Sequence, residues 1–224
     1  MTAVPEDFLA APRTPAPAPP AWPGRLATAL HEELPTDARD DWAARLHTLL
    51  GAGPDTGTLR AVHIWHADTV LPLLGVDPVF AALGALHRDA AQGGTADRCA
   101  WRTALTPVLL HLYDVAYDRT SAYAEAHTGA RDYALANGFS ATEADTYGHE
   151  YAWLSSDANA LACAGAHAEA LGPALARAYA SDGCEAYADT FPEAQLRAVA
   201  RALGAGSVTR LAEGFLSALE ACRP

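Results

Sequence analysis

The residues able to do chemistry crowd into one stretch of the chain. Positions 111–157 hold six of the eight tyrosines, three of the nine histidines and many carboxylates. Read as helix, His111, Asp114 and Asp118 recur at i, i+3 and i+7 and share a stripe, with Tyr113 and Tyr117 on the neighbouring one. Further along, His149, Trp153, Ser156, Cys163 and His167 follow helical spacings, and Glu150 and Asp157 lie seven apart beside Leu154 and Leu161. A carboxylate among leucines breaks the usual outward placement of charge, so Glu150 and Asp157 are expected to be buried at a seam. Facing stripes would bring carboxylates and an imidazole close enough to shift one another's pKa, which acid and base work near neutral pH requires. The candidate catalytic residues are His111, Asp114, Tyr117, Tyr147, His149, Glu150 and Asp157, and the candidate substrate-binding residues are Tyr113, Asp118, Arg119, Tyr151 and Trp153. Each has a plainer reading when taken singly: tyrosines at helical spacing fill cores and rims, and Asp and Glu form solvated faces.

Metal spacings are sparser. His63-x-x-His66 puts two imidazoles on adjacent turns with Asp68 behind them, but two ligands do not complete a site. His149-Glu150 is followed by Tyr151, Ala152 and Trp153, so the zincin pattern is absent. No Glu-x-x-His occurs; Asp145-x-x-x-His149 and His111-x-x-Asp114 are looser substitutes for the ligands of a di-iron bundle. Cys163 and His167 are one turn apart and could touch as nucleophile and base. The four cysteines, Cys99, Cys163, Cys184 and Cys222, form no Cys-x-x-Cys pair. No metal and no cofactor is expected.

Composition removes other classes. All 15 basic residues are arginine, so neither a lysine Schiff base nor a Walker A lysine can form. A formal charge of -12 repels phosphate backbones and anionic lipid, which argues against nucleic-acid and membrane partners and favours amine-bearing ligands. No glycine-rich dinucleotide fingerprint or G-x-S-x-G elbow is present. The opening residues lack a basic start followed by an apolar run, and no stretch reaches the roughly 20 apolar residues of a membrane span, so a cytoplasmic location is expected. About one residue in four is alanine, a bias of high-GC bacterial genes.

The elements that must position these residues read as helices. With 224 residues, half of them hydrophobic, the chain suits a single core. Residues 1–24 are rich in proline and read as a disordered or extended arm, leaving 25–224 as one all-α domain. The helical periodicity predicts a compact bundle of about seven or eight helices. Asp77 and Pro78 should start one helix, Thr95 should cap the next, and Ser140 with Glu143 should form a capping box for a long one that Gly172 and Pro173 end. The segment 59–74 is ambiguous, since its apolar residues also alternate as in a strand, and is taken as helix.

Three functions fit these features. The first is a small cofactor-independent enzyme of bacterial specialised metabolism, a lyase or cyclase performing acid/base-assisted elimination or ring closure on an amine-bearing intermediate. The second is a helical-bundle iron or haem oxygenase using His63, His66, His111 or His149. The third is a non-catalytic small-molecule binder, or a subunit that pairs with itself or another chain through alanine-rich helix faces.

Overall fold

A computed structural model describes residues 21–51 and 57–223. Its organising element is a break in what would otherwise be one long helix. Helix α6 (Arg98–Ala116) stops at Tyr117 and α7 (Arg119–Ala136) begins at once, with the Asp118 carboxylate accepting from the Ser121 N–H. Arg119 turns back across the junction, donating to the Asp114 carbonyl at 2.6 Å and to its carboxylate at 2.7 Å. That contact adds a second donor to a carbonyl in the last turn of α6, which also accepts from the Tyr117 N–H at 3.4 Å.

Helix α8 (Ala141–Ala180) runs 40 residues, about 60 Å at the usual rise, and packs along both α7 and α6. The expected capping box opens it: the Ser140 hydroxyl accepts from the Glu143 N–H while the Glu143 side chain reaches the Ser140 N–H. Its buried face is a stripe at every fourth position, Ala144, Gly148, Ala152, Ser156, Ala160, Ala164, Ala168 and Gly172. A step of four residues overshoots one turn by about 40°, so the stripe winds around α8. It faces α7 at Gly148, beside His127 and Arg131, and α6 at Gly172, beside Thr106 and Leu109. Small residues allow this close approach. They also correct an expectation, because Leu154 and Leu161 lie outside the seam and are exposed.

Gly172 and Pro173 do not end α8. Pro173 lies on the exposed face with Glu169, so water can serve the carbonyl that the missing N–H leaves unpaired, and Leu175, Ala176, Ala178 and Tyr179 anchor the continuation in the core.

The rest of the chain surrounds α6 and the second half of α8. Helices α1 (Trp22–Glu33), α2 (Thr36–Gly51), α9 (Cys184–Ala188), α10 (Pro192–Leu203) and α11 (Val208–Glu220) close one side. Trp22 is fully buried and packs edge-on against Phe215 and Tyr187, so α1 begins inside the segment expected to be an arm. Residues 1–20 of that arm lie outside the described residues. The ambiguous 59–74 segment is helical: α3 (Arg60–Trp65), a π-helical turn His66–Val70, and α4 (Leu71–Leu74) follow without interruption. Helix α5 (Pro78–Ala91) starts as expected, the Asp77 carboxylate accepting from the Val79 N–H. Helix α6 is capped by Asp97, not Thr95, because the Asp97 carboxylate reaches the Ala100 N–H at 2.8 Å. The described residues are helical and form no strand, in more segments than periodicity suggested because α3, α4 and α9 are short.

Candidate functional site

Three groups of reactive side chains come together, and only some of their members were singled out above. The first is interior. In the π turn the Leu71 N–H donates to the His66 carbonyl five residues back, widening the helix just after His63. His63 and His66 thereby meet His87 of α5, Trp101 of α6 and Tyr179 of α8. The Nδ1 atoms of His63 and His87 lie 2.9 Å apart, His63 stacks on Trp101 at 5.6 Å, and His66 stacks on His87 at 4.8 Å. His87 is fully buried and its Nε2 has no hydrogen-bond partner.

His66 and His87 stand in the wall of a largely apolar cavity of about 50 Å³, completed by Leu109, Leu112, Tyr187 and Leu196 among others. His63 instead borders a separate cleft of about 290 Å³ with Arg60, Ser181 and Asp182, and Trp101 and Tyr179 form part of its wall. The histidine pair thus connects the interior to a second pocket. Burial pushes the His63 pKa down to about 4 and that of His66 to about 3, and holds His87 well below the usual imidazole range. The three rings are neutral at pH 7. Burial raises the Tyr179 and Tyr187 hydroxyls, which stay protonated.

The second group lies on the α7/α8 hairpin. Asp145 and His149, one turn apart on α8, face His127 of α7: His127 Nε2 is 3.5 Å from Asp145 Oδ1, and His149 Nε2 is 3.7 Å from Asp145 Oδ2. Arg131 stands 3.6 Å from the same carboxylate, and the Tyr123 hydroxyl hydrogen-bonds His149 Nδ1.

The third group lies where α6 meets α8. Tyr113 stacks on His167 at 4.0 Å, and burial pushes its hydroxyl up to about 12. His167 Nδ1 lies 2.9 Å from the Cys163 carbonyl and 3.5 Å from its sulfur. The nearer oxygen takes the Nδ1 proton, so that nitrogen is spent on the backbone and does not serve the thiol as a base.

The expected catalytic cluster is divided among different faces. Asp114, Arg119 and Asp157 are brought together, with Arg119 bridging the carboxylates at 2.7 and 3.4 Å, so the stripes of α6 and α8 do meet at that point. Tyr117, Tyr147 and Tyr151 line a groove of about 610 Å³ with Glu125, on the side of the hairpin away from His149. His111 is exposed on α6, edge-on to Phe80. Asp118 is the cap of α7, its carboxyl held below the usual range by the Ser121 N–H and hydroxyl. Glu150, Trp153 and Asp157 are exposed, which corrects the expectation of buried carboxylates: the seam runs along the small-residue stripe instead.

His87, Trp101, Tyr179, Tyr187 and His127 were absent from the candidate set. A sequence signal existed for His87, which follows Leu83 by one turn on the apolar face of α5. Comparison with known protein families, curated proteins and solved structures returned no match to this chain.

Proposed function

We propose that this protein is a small enzyme performing acid/base-assisted elimination or ring closure on a small, amine-bearing and otherwise apolar molecule held in the interior cavity. The observation that carries the reading is the unpartnered Nε2 of His87, a residue of the apolar cavity wall, tied through His63 to the second cleft. A buried N–H without an acceptor costs more than a lone pair without a donor, so His87 carries its proton on Nδ1 and donates it to His63 Nδ1. His87 Nε2 is then a free acceptor.

In this reading the substrate enters as the neutral amine, because the cavity has no carboxylate to hold an ammonium. Attack of the amine on a carbon bearing a leaving group makes the nitrogen cationic. His87 Nε2 takes that proton, passes its Nδ1 proton to His63, and His63 releases its Nε2 proton toward the cleft. The leaving group departs with the electron pair of the broken bond. A desolvated imidazolium is a strong acid, which favours rapid onward transfer. The cavity holds roughly four water-sized volumes, so the substrate has a handful of non-hydrogen atoms.

The test is a panel of short amines bearing a β leaving group, followed by NMR for elimination or cyclisation. Turnover that disappears in His87→Gln and in Leu112→Trp, which fills the cavity, while surviving in Glu150→Gln, is the expected result. Thermal stabilisation by panel members without turnover would replace catalysis by simple binding. Neither turnover nor stabilisation across the panel would end both readings.

A further inference from the structure

We propose that His127, Asp145 and His149 form a binding site for a divalent transition-metal ion of the zinc class, spanning the two helices of the α7/α8 hairpin. The residue types suit such an ion: two imidazoles, which are borderline nitrogen donors, joined by one carboxylate form a set that fits zinc and its neighbours better than calcium or magnesium, which take oxygen ligands. Among the described residues this is the one group of three or more His, Cys, Asp or Glu whose donor atoms converge, all lying within 4.8 Å of one another. In a tetrahedral site with bonds near 2.1 Å, neighbouring donors stand about 3.4 Å apart. Here the two imidazoles approach the two oxygens of the Asp145 carboxylate at 3.5 and 3.7 Å and the three donors stand no more than 4.8 Å apart, so ligation would draw the side chains together by up to about 1.4 Å, within the reach of rotamer adjustment.

Three further features point the same way. The His127 Nε2 atom is closed off from solvent and has no hydrogen-bond partner, although the Asp145 carboxylate lies 3.5 Å away. A metal bond would satisfy it. Next, Tyr123 meets His149 at Nδ1. If Nδ1–H donates to the Tyr123 oxygen, the Nε2 lone pair, 3.7 Å from Asp145, is left free for an ion, the arrangement by which outer partners orient metal-binding imidazoles. Finally, Gly148 lies between the two α8 ligands in sequence and has no side chain to hold the helices apart. A Cβ there would stand 3.1 Å from the His127 carbonyl and 3.2 Å from the His127 ring.

The stacked interior histidines make a useful contrast. His66 and His87 face each other ring to ring at 17°, so their in-plane lone pairs do not converge on one point. On the hairpin, one ligand comes from α7 and two from α8, so a bound ion would pin the free-standing end of the hairpin. Three protein ligands leave a fourth position for water, and the net charge of -12 favours cation uptake. Arg131, close to Asp145 Oδ1, balances the carboxylate when no ion is bound. The proposal is independent of the interior cavity.

The experiment uses the full chain, stripped with chelator and dialysed. Zn²⁺ binding is measured by calorimetry, and Co²⁺ binding by the visible bands of a four-coordinate ion. The expected result is saturation at one equivalent. Asp145→Asn and His127→Ala should each weaken binding at least about tenfold, Tyr123→Phe roughly tenfold to a hundredfold, and His47→Ala, an exposed histidine elsewhere, should leave it unchanged. Asp145 is exposed, so circular dichroism should show the same helix content in its variant. Absence of one-equivalent binding, or binding of equal strength in Asp145→Asn and His127→Ala, would overturn the proposal.

Discussion

Nδ1 of His63 and Nδ1 of His87 lie 2.9 Å apart between α3 and α5, and two nitrogens at that distance share a single proton. The two neutral rings therefore hold opposite tautomers. With the proton on His87 Nδ1, the unpartnered Nε2 of this cavity-lining residue is a free acceptor. Replacing His63 by Phe should leave a buried donor unsatisfied and cost about 1–3 kcal/mol, read by urea unfolding. A cost under about 0.5 kcal/mol would contradict the shared proton.

The same rings set a pH dependence. Each has a folded-state pKa below its unfolded value near 6.5, so between these values the unfolded chain binds more protons and stability rises with pH. Their contribution is complete above about pH 6.5 and is lost as pH falls toward about 4 for His63 and about 3 for His66. The slope is up to about 1.4 kcal/mol per pH unit for each imidazole. Denaturant melts at pH 7, 6 and 5 should show the decline, and His87→Gln should flatten it.

The small-residue stripe has its own signature. Ala152 is fully buried in the α7/α8 seam, and leucine there has nowhere to go without separating the helices. Ala152→Leu should destabilise by about 1–3 kcal/mol, with faster amide exchange along α7 than along α11. Equal exchange in both helices would mean that the seam tolerates the larger side chain.

On the outer face, Glu150 and Leu154 carry no packing load. Glu150→Gln should change stability by less than about 0.5 kcal/mol, measured by chemical denaturation.

Trp22 belongs to the core despite its proline-rich surroundings. Trp22→Ala should cost about 3–5 kcal/mol, because the ring is fully enclosed between Tyr187 and Phe215. A loss below about 1 kcal/mol would show that α1 is dispensable.

What the sequence determined by itself was local. The helical class follows from periodicity along the chain, and the capping box at Ser140 and Glu143 and the Asp77 cap from backbone groups meeting side chains a few residues away, and all are present. The meeting of Asp114, Arg119 and Asp157 was legible in part, since two correctly placed stripes needed only to face each other. Tertiary structure alone decided which face of α8 became the seam. Leucines at 154 and 161 looked like the better core, but alanine, glycine and serine at every fourth residue permit closer helix approach, and that contact won. It turned Glu150 outward and set His127 against Asp145 and His149. The convergence of His63, His66 and His87 likewise needed a π turn and a neighbouring helix, because periodicity orders residues within one helix but does not order helices around a common point.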